Sequence, residues 1–285
     1  MEPSMPEAMQ KRYLETLDSA LQIGATVLEN DGTAIDAVEK VINYFENCPL
    51  YNAGKGAVFT FEGKNELDAS IMNGHNLMAG AVAGVTKVKH PISAARKVME
   101  ASPHVLLSGE GANEFAKEQG LEMVKNKYFK TDKRFKTFEK AKKRYLKDKM
   151  GTVGCVVLDQ KGNLAAGTST GGMMLKRWGR IGDSPIIGAG TYADNNTCAV
   201  SCTGHGEYFI RLGIARDIAA RMEYKNLSLE EAAKETLEKL TKVKGTGGFI
   251  CVDHAGNPVM LFNTTAMFRG YIKGNGEKVV KIFGD

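Results

Sequence analysis

Four short segments, taken in chain order, hold residues whose types could do chemistry together. They are Gly151-Thr152-Val153-Gly154, Thr168-Ser169-Thr170-Gly171-Gly172, Gly179-Arg180-Ile181-Gly182-Asp183-Ser184-Pro185 and Thr203-Gly204-His205-Gly206-Glu207. A threonine hydroxyl attacks poorly unless a base takes its proton, and no Ser-His-Asp or Cys-His grouping stands ready to supply one. An α-amino group titrates near neutrality, at about 7.7–8.0. Cleaving the peptide bond before a threonine therefore puts nucleophile and base on one residue. Gly151 suits a scissile position because glycine accepts strained backbone geometry. Singly, the same residues are ordinary: Thr152 and Thr170 read as strand threonines, and Arg180 with Asp183 as a surface ion pair worth little. Gly204 and Gly206 alone make a tight strand-to-helix turn, His205 alone is structural, and Cys202 alone is a buried thiol. Taken together, the four segments make Thr152 the candidate nucleophile and, once the Gly151–Thr152 bond is cut, its own base.

The elements that must position these residues follow from periodicity. Leu14, Leu17, Leu21, Ala25 and Leu28 make one apolar helical stripe. After a turn at Asp31-Gly32, Val38, Val41, Ile42 and Phe45 repeat at helical spacing. Strands are expected over 57–61 and 67–72, with short helices around 92–99 and 111–117. Residues 152–158 and 163–170 read as a hairpin around Asp159-Gln160-Lys161-Gly162, and a related pattern recurs over 249–252 and 258–262. Between them lie a strand over 197–203, a helix over about 207–224, and a second helix opened by the capping box Ser228-Leu229-Glu230-Glu231. Strands grouped in hairpins beside grouped helices imply a layered, largely antiparallel α+β fold.

Composition narrows the classes. The chain has 285 residues, 43% hydrophobic and 25% charged, enough for one large domain or two small ones. No apolar run is long enough for a membrane-spanning helix, and the N-terminal residues show no signal peptide. A cytoplasmic protein without membrane partners is expected. The net charge of +5 is local: residues 121–150 carry twelve Lys and Arg against four acids, +8, leaving −3 for the rest. Such a stretch reads as a mobile, tethered basic linker rather than a nucleic-acid face. Five cysteines without CxxC spacing read as reduced core thiols, and five scattered histidines offer no zinc site. Thirty-two glycines cluster, yet GxxxxGK[ST] is absent and Gly204-His205-Gly206 has Phe209 where a dinucleotide fingerprint needs its third glycine. No organic cofactor is expected.

The ordered motifs Tyr51-Asn52-Ala53-Gly54, Leu67-Asp68-Ala69-Ser70-Ile71-Met72, GTVG, TSTGG, GRIGDSP and TGHGE resemble those of the plant-type asparaginase/isoaspartyl peptidases, which are N-terminal nucleophile (Ntn) hydrolases. The resemblance implies a four-layer αββα sandwich of two mainly antiparallel sheets between helical layers. It implies one domain, 1–285, processed into 1–151 and 152–285, with the mobile linker over about 121–151. The implied activity is release of L-aspartate from β-aspartyl (isoaspartyl) dipeptides and L-asparagine through an ester on Thr152. A glycosylasparaginase-type hydrolase and an uncleaved aspartyl-binding protein are the alternatives. Carried onto this sequence, Thr170 orients Thr152, Asn52 sits by its amine, and Thr203 with the Gly204 N–H forms the oxyanion hole. Arg180 takes the substrate α-carboxylate, and Asp183 with the Gly206 carbonyl takes its α-ammonium. A structural sodium is implied on the backbone carbonyls of Phe45, Glu46, Cys48, Tyr51, Ala53 and Lys55, as is a homodimer of processed units. Members of this family open with a strand and a His-Gly-Gly-Ala-Gly-like turn, which the first residues here do not match; a missing core strand and an exposed sheet edge are expected.

Overall fold

In the computed structural model the described residues are 5–144 and 151–284. Helix α1 (Glu7–Glu29) buries Tyr13, Leu17 and Ala20. Helix α2 (Ala34–Asn47) starts at a reciprocal capping box between Thr33 and Asp36 and buries nearly all of one face. Strands β1 (Leu67–Asn73) and β2 (Ala79–Val85) form a hairpin. Helix α3 (Pro91–Ala101), strand β3 (Leu106–Ser108) and helix α4 (Gly109–Glu118) follow, and α5 (Asp132–Arg144) is the last helix before Gly151. Strands β4 (Val153–Leu158) and β5 (Leu164–Thr170) are the expected hairpin. Then come β6 (Thr191–Ala193), β7 (Cys198–Gly204), α6 (Gly206–Leu212), α7 (Ile214–Lys225) and α8 (Leu229–Lys242). The chain ends in β8 (Gly247–Asp253), β9 (Pro258–Phe262), β10 (Ala266–Ile272) and β11 (Lys278–Phe283).

These elements make the α+β sandwich. A five-stranded sheet in the order β3-β2-β1-β5-β4 faces a four-stranded sheet β6-β7-β8-β9, and all pairings are antiparallel except β2 with β3. Helices α2 and α3 cover the first sheet, and α7 and α8 cover the second. Strands β1 and β5, the inner pair, are buried on both faces, which is why they read as runs rather than alternations. Hairpin β10–β11 packs under α1. Among the described residues β4 pairs with β5 alone, so its second edge is open.

Ladder register is what sets the site. Ser169 stands opposite Val153 on one side and Ala69 on the other, so the residue before β4, Thr152, falls beside Thr170 at the end of β5. Gly154 must be glycine: a Cβ there would collide with Ser201 Oγ of the facing sheet. Between the sheets, buried hydroxyls answer one another, Thr168 Oγ1 lying 2.7 Å from Ser201 Oγ. Ser70 Oγ donates to the Ser184 carbonyl at 2.6 Å, which pins the loop next to Asp183.

Three expectations are corrected. The basic segment is not a plain tethered loop over its described part: Phe129 is fully buried, and α5 buries Phe138 and Ala141 against Val58, Phe59 and Met174. Phe135, Phe138 and Ala141 recur on one helical face while the lysines point outward; residues 145–150 lie outside the described residues. Residues 57–61 form no strand, because their backbone bonds go to an irregular loop, Leu175 N–H to Phe59 O at 2.8 Å and Phe61 N–H to Lys176 O at 3.0 Å. The single helix expected over 207–224 is two, broken at Gly213 with φ of 60°.

Candidate active site

Thr152, Thr170, Asn52 and Gly151 form one hydrogen-bonded group. Thr152 Oγ1 donates to Thr170 Oγ1 at 3.2 Å. The Gly151 carbonyl accepts twice, from Asn52 Nδ2 at 2.7 Å and from Thr170 Oγ1 at 3.1 Å. Thr170 Oγ1 is itself fixed by the Gly172 N–H at 3.0 Å. Asn52 is fully used: its amide nitrogen also reaches Gly172 O at 2.8 Å, and its oxygen accepts from Val58 N–H at 2.9 Å. Such an amide cannot swing without breaking several buried bonds. Below this group, Ser169 Oγ donates to the fully buried Glu46 carboxylate at 2.7 Å, which also receives the Ile92 N–H at 3.0 Å and lies 3.3 Å from His90 Nδ1. Burial raises the Glu46 carboxyl above its ordinary value, against the lowering effect of those partners.

The group opens on a cavity of about 690 Å³ that is also lined by Thr203 and Gly204 at the end of β7, by Gly247 and Gly248 of β8, and by Tyr13, Leu17 and Phe268. The turn from Thr203 to Gly206 joins this cavity to a second, charged group. A Cβ on Gly206 would lie 2.7 Å from Asp183 Oδ1 and 3.0 Å from Arg180 Nη2, so only glycine lets the three meet. Asp183 is buried, and its Oδ2 has no hydrogen-bond partner among the described residues. Burial pushes its carboxyl up to about 7, Arg180 opposing and Glu207 and Asp68 adding to the rise. An unpartnered buried carboxylate oxygen is a place for a cationic ligand group.

A family model described as "Asparaginase" matches residues 1–282. The chain belongs to this asparaginase family. It is similar to the isoaspartyl peptidase of Escherichia coli (strain K12), 49% identical over 273 residues that cover 91% of this chain and 85% of that protein. It is 43% identical over 313 residues to the probable isoaspartyl peptidase/L-asparaginase 2 of Arabidopsis thaliana, covering 99% and 96%. The isoaspartyl peptidase/L-asparaginase of Homo sapiens is 41% identical over 265 residues, covering 90% and 86%.

Of the expected residues, Asn52, Gly151, Thr152, Thr203 and Gly204 line the one cavity, with Thr170 bonded to Thr152 behind it, while Arg180, Asp183 and Gly206 meet one another outside that lining; the structure also adds partners that the motifs alone left without a role. Arg180 is not free: its Nε and Nη2 donate to the two carboxylate oxygens of Glu207, each at 3.0 Å. His205 Nε2 lies 3.2 Å from Glu207 Oε2. Lys176, with a side chain only 2% exposed, donates to the Glu66 carbonyl at 3.0 Å and lies 3.9 Å from Asp68 Oδ2. Asp68 is fully buried, and burial raises its carboxyl although Lys176 and the Gly84 N–H pull it down. Glu207 stood in plain view in TGHGE, but its pairing depends on how two loops meet. Lys176 had no signal beyond a lysine among glycines and methionines.

Proposed function

We propose that the protein is a self-processing amidohydrolase that releases L-aspartate from β-aspartyl (isoaspartyl) dipeptides and from L-asparagine. The observation that carries this reading is the double hydrogen bond on the Gly151 carbonyl with Thr152 Oγ1 held against Thr170. In the first reaction Thr152 Oγ attacks the Gly151 carbonyl carbon, and the oxygen gains charge between Asn52 Nδ2 and Thr170 Oγ1. The C–N bond breaks, the Oγ proton passes to the nitrogen, which leaves as the Thr152 amine, and water hydrolyses the resulting ester to free the Gly151 carboxylate. The two pieces stay together, because β1 of the first pairs with β5 of the second along the whole ladder.

In the second reaction the freed amine takes the Thr152 hydroxyl proton, and Oγ attacks the substrate's side-chain carbonyl. Thr203 and the Gly204 N–H receive the oxyanion, ammonia or the peptide amine leaves, and water releases aspartate. Arg180 takes the α-carboxylate as a planar fork, while Asp183 and the Gly206 carbonyl take the α-ammonium. The resemblance also implies a sodium ion on the carbonyls of Phe45, Glu46, Cys48, Tyr51, Ala53 and Lys55 in the loop that carries Asn52, where the Phe45 and Glu46 carbonyls already accept from the Cys48 and Lys55 N–H groups. Uncharged oxygens of this kind are what a hard cation accepts, and the ion would stiffen the approach to Asn52.

Incubation of the purified chain, a denaturing gel and N-terminal sequencing test the first reaction: two fragments, one beginning at Thr152, are expected. An uncut chain on prolonged incubation overturns it. A panel of asparagine, an isoaspartyl dipeptide and glycosylated asparagine tests the second, with hydrolysis of the first two expected.

A further inference from the structure

We infer that Glu207 is a built-in competitor for the substrate α-carboxylate, occupying the carboxylate seat of Arg180 until the substrate displaces it. The inference rests on the reading of Arg180 as the α-carboxylate clamp. Arg180 offers its side-on face, Nε with Nη2, to both oxygens of Glu207 at 3.0 Å, the fork-to-fork geometry that any carboxylate would adopt there. The Cβ that Gly182 lacks would lie 2.8 Å from Nη1, so glycine leaves that nitrogen uncovered, and the side-on face is the one in which a carboxylate is already seated. A substrate carboxylate that takes this face must displace Glu207.

The two partners differ in how they are held. The Arg180 side chain is 18% exposed and set into the wall, whereas Glu207 is 45% exposed in the first turn of α6. Glu207 can leave toward solvent without opening the core. It also has somewhere to go, since His205 Nε2 already lies 3.2 Å from its Oε2. Burial alone would raise the Glu207 carboxyl, but Arg180, its own backbone N–H and His205 together hold it below its ordinary value, so a full negative charge sits in the seat. Substrate binding is then an exchange of one carboxylate for another on the same guanidinium. Its net affinity is only the difference, and the apparent affinity falls by the fraction of molecules in which Arg180 is free. A compound without an α-carboxylate gains nothing by entering, because it cannot replace the pair it would break. The arrangement selects for the aspartyl head at a cost in affinity.

The sign of the effect separates this role from a merely structural one. If Glu207 only oriented Arg180, removing its charge would loosen binding. As a competitor, its removal tightens binding. The test uses the self-processed protein, L-aspartate titrated by calorimetry, and steady-state kinetics with an isoaspartyl dipeptide. Glu207→Gln is expected to lower both the aspartate Kd and the dipeptide KM about tenfold. Glu207→Asp, a methylene shorter and unable to span both nitrogens, is expected to give a smaller gain in the same direction. An unchanged or raised Kd and KM in both variants, with wild-type protein binding aspartate, overturns the inference alone. Failure of wild-type protein to bind aspartate overturns instead the reading of Arg180 on which it stands.

Discussion

The nucleophile side of the cleft and its head-group side are built by different means. Thr152, Thr170, Asn52 and Gly151 are neutral groups whose places follow from the β1–β5–β4 ladder and from hydrogen bonds of 2.7–3.2 Å. Arg180, Asp183 and Glu207 are charged and sit on a loop and at a helix start; Arg180 and Glu207 hold each other, and Asp183 is buried beside Gly206 with one oxygen unpartnered among the described residues. A strand register admits no half-shift, since a slip of one residue turns every side chain over. Ion pairs can exchange partners without a change of backbone. The first side thus suits bond cleavage, which needs fixed geometry, and the second suits admission of a zwitterion, which needs replaceable charges.

The largest expected effect breaks the nucleophile side. Thr152→Ala removes the attacking oxygen, so neither self-cleavage nor turnover should occur; a gel and an ammonia assay read both, and retained asparagine hydrolysis would sink the mechanism. Thr170→Val keeps the shape but removes the hydroxyl donated to Gly151 O, and loss of one such donor costs about 10²–10³-fold in rate. Self-cleavage should slow by that order in a gel time course. The head-group side should behave differently. Asp183→Asn removes a charge outside the hydrogen-bonded group around the scissile carbonyl, and a charge-assisted contact is worth about 1.5–3 kcal/mol. The kcat/KM for the dipeptide should fall about 10- to 100-fold while self-cleavage keeps its wild-type rate. Slowed cleavage in this variant would erase the distinction between the two sides.

Asp183 also gives the head-group side a pH signature. Its carboxyl is raised to about 7 by burial, so below that pH it takes up a proton and can no longer receive an ammonium as an anion. Aspartate binding should weaken up to about tenfold per unit below pH 7, and Asp183→Asn should remove that slope. For stability the sign is the reverse. The folded state binds this proton more tightly than the unfolded chain, so the cost of burying the charged Asp183 is complete above about pH 7 and is relieved progressively as pH falls from about 7 to its ordinary value of 3.8.

What could be read beforehand divides along the same line. The hairpin β4–β5 and the capping box at Ser228 are local patterns with local causes, and both stand as expected. With the hairpin comes the meeting of Thr152 and Thr170, because pairing alone brings them together. The Arg180–Glu207 pair spans 27 residues and two loops, where no periodicity speaks. Strand β2, Ala-Gly-Ala-Val-Ala-Gly-Val, escaped notice because its small residues neither alternate nor branch; it is placed by burial against α3 and β1. Helix α5 was hidden by its lysines, whose charge masked three apolar residues on one face.

Helix α5 supplies the smallest expected effect and the finest test of where the nucleophile side ends. Arg134 Nε on this helix donates to Gly56 O at 2.9 Å, on the loop that carries Asn52, and α5 is the last described element before Gly151. Phe138 anchors it, with its ring centroid 5.2 Å from that of Phe59. The cluster around Phe138 is separate from the main core and small, so truncation to Ala should loosen α5 locally rather than unfold the sandwich. Loosening frees the chain leading to Gly151 but leaves the bonds from Asn52 and Thr170 intact. Self-cleavage in Phe138→Ala should therefore slow by about threefold or less, equivalent to about 0.6 kcal/mol in the barrier. Hydrogen exchange confined to residues 132–144 would show that the helix had loosened. A delay as large as that of Thr170→Val would mean that α5 holds the scissile bond as firmly as the ladder does, and the boundary between the two sides would then run through the linker.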